Sequence, residues 1–303
     1  MSLSLPDTVR IVEVGPRDGL QNETAALDVA TRVALIERLA ESGLGTIEAG
    51  SFVSPRWIPQ MADSGQVLTT LQRRPGVRYT ALTPNLRGLE DAMAAGADEV
   101  AVFAAASEAF SQHNINCSIA ESVERFREIC EQASAAGLPV RGYVSCVLGC
   151  PYQGAVSESA VYDVTRRLLD LGCYEVSLGD TIGVGTAGRV ESLLSHGLQQ
   201  VPSERLAVHF HDTYGQALAN VLMALQCGVR SIDSSVAGLG GCPYAPGASG
   251  NVATEDVVYL LDGLGLRHGV DLEQLRATGD WICGQLGRNN RSRVANALAA
   301  AQH

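Results

Sequence analysis

The nonapeptide VHFHDTYGQ, residues 208 to 216, sets two histidines one residue apart. Side chains alternate faces along a strand, so His209 and His211 point the same way. Two imidazoles on one face suit a divalent cation, or equally a hydrogen-bonded polar pair with no metal. Asp18 and Asn251 add two oxygen donors if the fold brings them to the same place. A mixed oxygen and nitrogen set suits Mg²⁺ or Mn²⁺, and also accepts Co²⁺ or Zn²⁺. Arg17 stands beside Asp18 in GPRDGLQ. A guanidinium next to a cation stabilises a developing enolate or oxyanion. The plain alternative is an Arg–Asp pair at the surface. Gln21 closes the same segment. Glu48 and Asp180 interrupt apolar strands, which predicts that both point inward and are paired. Glu48 then orients Arg17 or Asp18 from behind, and Asp180 does the same for a histidine or transfers a proton.

The segment AGLGGCPYAPGASGN (237–251) carries five glycines around Cys242. So much glycine predicts a tightly turning or moving loop, and long loops in compact barrels are often lids. A cysteine there can meet a bound substrate as acid, base or nucleophile, or be an incidental thiol. Two arginine-containing stretches, 73–75 and 288–293, are too short for a nucleic-acid surface. The second can meet an anionic cofactor tail.

Eight short β-rich runs must position these groups: 9–14, 46–51, 78–83, 99–105, 140–148, 174–180, 206–212 and 231–238. Between them lie amphipathic stretches such as 28–43, 118–137 and 157–172, several closed by a glycine. Eight strand–helix units over about 260 residues predict a TIM (β/α)8 barrel spanning about 9–265. Helices at about 271–303 extend it, within a single catalytic domain of 1–303. A doubly wound sheet is the alternative, but no G-x-G-x-x-G follows the first strand. Barrel chemistry sits at the C-terminal ends of the strands, where the polar residues above collect.

The chain has 303 residues, 46% of them hydrophobic, and a formal net charge of −11. That balance argues against nucleic acid as a partner. No apolar run is long enough for a membrane span. The eight cysteines are scattered rather than framed for disulfides, which together with the absence of a leader pattern predicts a reducing cytoplasm.

Six segments carry a resemblance. VEVGPRDGLQNE (12–23), SFVSPRWIPQMAD (51–63), RGYVSCVLGCPYQG (141–154), SLGDTIGVGT (177–186), HFHDTYGQALAN (209–220) and VAGLGGCPYAPGASGNVATEDVVY (236–259) together resemble the 3-hydroxy-3-methylglutaryl-CoA lyase family. The likeness runs from about residue 9 to 298. It implies retro-Claisen cleavage of an acyl-CoA substrate into acetyl-CoA and acetoacetate. It implies Asp18, His209, His211 and Asn251 as ligands of a divalent metal, with Mg²⁺ or Mn²⁺ first. It implies an enolate-stabilising Arg17, proton transfer by Cys242 and His209, and a need for Glu48 and Asp180. Gln21 is expected at the substrate, and a homo-oligomer, a dimer first. Ala49-Gly50 replaces a threonine pair of the animal members, and Thr24 a common lysine, which leaves acyl-chain preference open. Alternatives are a lyase for a longer 3-substituted 3-hydroxyglutaryl-CoA, a related condensing synthase, a zinc hydrolase, and a binding protein without turnover.

Overall fold

A computed structural model describes residues 5–241 and 250–301. Eight parallel strands close on themselves in chain order, β1 pairing with both β2 and β8. They are β1 (Arg10–Glu13), β2 (Thr46–Ser51), β3 (Arg78–Leu82), β4 (Glu99–Ala105), β5 (Val140–Ser145), β6 (Glu175–Asp180), β7 (Leu206–Phe210) and β8 (Ser231–Ser234). Helices α1 (Val29–Glu41), α2 (Ser64–Thr70) and α3 (Leu86–Ala94) follow the first three strands. The β4 connection holds two, α4 (Glu108–Ile115) and α5 (Ile119–Ala135). Then come α6 (Glu158–Asp170), α7 (Ala187–Gly197), α8 (Ala217–Gln226) and α9 (Thr254–Gly263), followed by α10 (Leu272–Leu286) and α11 (Arg293–Ala300). This is the expected TIM barrel with extra C-terminal helices. Among the described residues, no helix is long and apolar enough to cross a membrane.

Alternation along each strand builds two different environments. Ile47, Val100, Val144, Val176, Val208 and Ile232 turn outward and pack in one buried cluster with Leu35, Leu39, Ile129 and Leu168 of the helices. Their neighbours Glu48, Arg141, Glu175, Ser177, His209 and Asp233 turn inward and are joined by hydrogen bonds and ion pairs. Caps mark the helix starts. Asp28 accepts from Thr31 N, and Ser118 and Glu121 form a reciprocal capping box. After α1 the chain turns at Gly43 with φ +96°, where an added Cβ would lie 2.1 Å from the Gly269 carbonyl oxygen.

Several predicted strands end early. β5 stops at Ser145 because Cys146 takes φ +65° and turns its N–H to Thr181 Oγ1. β8 stops at Ser234, since residues 236–238 form a tight turn with Ala237 at φ +56°. Local apolar character ran past the point where the ladder ends.

Candidate active site

The β1 loop is a one-turn π-helix, Gly15–Gly19, an uncommon geometry that recurs at functional sites. It turns Arg17 and Asp18 into the barrel mouth. Gly19 lets it lie against the β8 loop; a Cβ there would fall 2.7 Å from Leu239 Cβ. Arg17 donates from Nη1 to Asp18 Oδ1 at 2.8 Å and from Nε to Glu48 Oε2 at 2.7 Å. The side chain is 7% exposed, so this is a buried clamp and not a surface pair. Burial opposes its charge, yet Glu48 and Asp18 outweigh burial and keep the guanidinium charged. Burial pushes the Glu48 carboxyl up, and Arg17 pulls it partly back. Burial also acts to raise Asp18, but Arg17 and then His209 hold it below the ordinary carboxylate value.

His209 and His211 do share a face, their ring centres 5.4 Å apart. Phe210 between them packs outward in the apolar cluster. His209 Nε2 lies 4.0 Å from Asp18 Oδ2, and its Nδ1 lies 3.3 Å from Asp233 Oδ2. His211 and Asn251 meet across an isolated antiparallel bridge, and Asn251 Nδ2 donates to Asp18 Oδ2 at 2.8 Å. Asp18, His209 and His211 can each offer one atom within 4.8 Å of the others. Burial, then His209, lowers His211 to about 4, so its imidazole is neutral at physiological pH. An anionic carboxylate and a neutral imidazole within reach of one point are donors a divalent cation needs. The residues present therefore fit such an ion. His209 is the opposite case. Burial would lower it, but the Asp233 bond and the charges of Asp18 and Asp233 raise it. A cation binding there must displace its proton.

Arg17, Asp18, His209 and His211 line a cleft of about 970 Å³ at the C-terminal rim, together with Leu82, Phe103, Phe126 and Tyr143. Tyr143 meets His209 edge-on at 6.4 Å. Gln21 lines the cleft too, but its Nε2 donates to Asp18 Oδ1 at 3.1 Å, so it also orients the carboxylate.

One expectation changes. Asp180 does not point inward. It shares the outward face of β6 with Val176 and Leu178, and its carboxylate accepts from the main chain of Val184 and Gly185. It ties down the β6 loop and, among the described residues, pairs with no histidine; burial raises its pKa and those N–H groups oppose the rise. The carboxylate behind His209 is instead Asp233, which sequence reasoning missed. Its signal was present: SIDSS puts an acid at an inward position of β8, one strand from the histidines. Two arginines of 288–293 have partners within the chain. Arg288 pairs with Glu23, and Arg291 donates to Gly240 O at 2.8 Å, holding the approach to the Gly-rich loop. Cys242 lies outside the described residues; Gly241, just before it, lines the cleft.

A closed parallel barrel with a carboxylate, two imidazoles and a clamped arginine at its C-terminal rim defines a barrel-enzyme class whose rim has donors that can hold a divalent cation. The chain belongs to the HMGL-like family, whose pattern it matches over residues 8–282. It is 60% identical over 294 residues to the mitochondrial hydroxymethylglutaryl-CoA lyase of Bos taurus, spanning 97% of this chain and 90% of that one. The crystal structure of hydroxymethylglutaryl-CoA lyase from Pseudomonas aeruginosa superposes with a TM-score of 0.96 at 59% identity, covering 98% and 99% of the two chains. An HMG-CoA lyase from Acinetobacter baumannii, solved with coenzyme A and 3-methylmalate, superposes at 0.92 with 38% identity, covering 96% and 95%.

Proposed function

We propose that this chain is a carbon–carbon lyase that cleaves (S)-3-hydroxy-3-methylglutaryl-CoA to acetyl-CoA and acetoacetate. The observation that carries the reading is the Asp18–His209–His211 cluster with Arg17 clamped beside it, in a chain matching lyases of that name over almost its whole length. Asp18, His209, His211 and Asn251 would hold the ion, Mg²⁺ or Mn²⁺, since oxygen donors on a hard site favour these. When bound, the cation supplies Lewis-acid polarisation of the C3 hydroxyl and a carboxylate oxygen.

The chain's own residues account for the rest. The C3 hydroxyl loses its proton, a transfer assigned to His209, whose ring can accept it at Nε2 only while that nitrogen is not ligated. The C2–C3 bond breaks as C3 becomes the ketone of acetoacetate. The bonding pair leaves as the enolate of acetyl-CoA, and Arg17 neutralises the enolate oxygen. Glu48 holds Arg17 for this. Cys242, on its loop, delivers the proton that converts C2 to a methyl group. Asp180 acts by holding the β6 loop, and Gln21 by steadying Asp18 and contacting substrate.

The reading includes one catalytic domain over 1–303, a homodimer, and a cytoplasmic setting, which the thiols of seven described cysteines support. A coupled acetoacetate assay with HMG-CoA and Mg²⁺ or Mn²⁺ tests it. Folded, reduced, metal-loaded protein that makes no product would sink it. The apolar wall of Leu82, Phe103 and Phe126 favours a second reading, a longer 3-substituent. The kcat/KM ratio between HMG-CoA and longer analogues separates the two.

A further inference from the structure

Below the site, the barrel interior is filled by ions. Arg141 on β5 is 1% exposed. Its Nε donates to Glu175 Oε1 on β6 at 2.8 Å. Its terminal nitrogens grip Asp233 of β8 as a fork, Nη2 to Oδ1 at 2.7 Å and Nη1 to Oδ2 at 3.2 Å. Ser177 Oγ donates to the same Oδ2 at 2.7 Å. Arg10 of β1 closes the network on Glu175. Two arginines already balance two carboxylates, so charge balance alone requires nothing more. Yet His209 Nδ1 also sits 3.3 Å from Asp233 Oδ2. A fixed carboxylate at that nitrogen selects the ring form with its proton on Nδ1 and Nε2 bare. Nε2 is the atom on the Asp18 side, 4.0 Å from Asp18 Oδ2.

We propose that Asp233, locked by Arg141 and Ser177, is the positioning residue that fixes His209 in its Nδ1–H form, so that Nε2 is the nitrogen offered to a divalent cation. The inference rests on the metal reading above and deepens it. It reaches across four strands: β5 and β6 set Asp233 on β8, and β8 sets the histidine on β7.

Nitrogen-15 NMR of the histidine rings reads the tautomer directly. It is done on metal-free protein at alkaline pH, where the imidazoles are neutral, with His209 assigned by its loss in His209→Gln. The expected result is Nδ1–H. In Asp233→Asn, the short Arg141 Nη2 contact keeps the amide oxygen in the place of Oδ1. The amide NH₂ then faces His209, and the ring switches to Nε2–H. Mn²⁺ affinity, read by EPR titration, falls about 10- to 100-fold. A wild-type ring found as Nε2–H overturns the proposal without any variant having to fold. A folded Asp233→Asn protein that keeps Nδ1–H and wild-type Mn²⁺ affinity overturns it as well. If wild-type protein binds no Mn²⁺, the metal reading fails, and the tautomer still decides the role of Asp233.

Discussion

Arg17 lies between two acids, and that sets what its replacement costs. In Arg17→Gln the charge proposed to meet the enolate is gone, and turnover of HMG-CoA should fall by about 10²- to 10³-fold. Glu48 loses its partner in a buried place, which ordinarily costs about 3–5 kcal/mol. Because burial has already raised Glu48, it can take up a proton and soften that loss. Steady-state kinetics and a melting curve on the same sample separate the two effects. Cys242 makes a cleaner case. Cys242→Ser should lower kcat by orders of magnitude while Mn²⁺ binding stays at the wild-type level, since the donors assigned to the ion are Asp18, His209, His211 and Asn251. Near-normal kcat in that variant removes Cys242 from the proton transfer.

The β1 and β8 loops are joined through Glu13, and here the element responds to pH. Its Oε1 accepts from Gly15 N at 2.8 Å and Val236 N at 2.9 Å, and its Oε2 accepts from Thr254 Oγ1 at 2.6 Å. Burial outweighs these bonds and raises the carboxyl to about 7. A group with a raised folded-state pKa adds stability that is complete below its unfolded value and is lost as pH rises through the folded one. Stability should therefore decline from about pH 5 to above pH 7, by up to ~3 kcal/mol for this group. Glu13→Gln keeps an acceptor for the two N–H groups and offers Thr254 a donor. Its melting temperature should be flatter against pH than that of the wild type. Parallel curves for the two proteins would falsify the assignment. Glu255 adds to the slope in the same direction, since burial raises it to about 8.

For the whole molecule, the prediction concerns the cation. An ion that binds only the folded chain stabilises it by RT ln(1 + [L]/Kd), about 2.7 kcal/mol at a hundred times Kd. In a chain of this size that is a rise of roughly 5 °C in melting temperature. Mn²⁺ should produce it, EDTA should reverse it, and His211→Ala should abolish it. Lowering the pH should weaken it, because His209 must shed a proton to ligate and its pKa is raised. An Mn²⁺ shift that survives His211→Ala places the ion elsewhere.

The sequence by itself determined the barrel, because strand and helix periodicities repeat eight times and each is a local property. It also determined which polar residues reach the C-terminal rim, since that follows from their place at strand ends; Asp18, His209, His211 and Asn251 do meet there. What it left open depended on register and direction. Asp180 and Asp233 are acids on the two strands that flank the histidine strand, and only the parity of each strand separates them. Strand parity in the closed barrel turns Asp180 outward to a loop and Asp233 inward to His209. Only closure of the sheet brings Arg141 to Asp233, 92 residues away in the chain. The tertiary structure decided these pairings because buried charges must find partners across the barrel, and those partners come from strands that sequence distance does not relate.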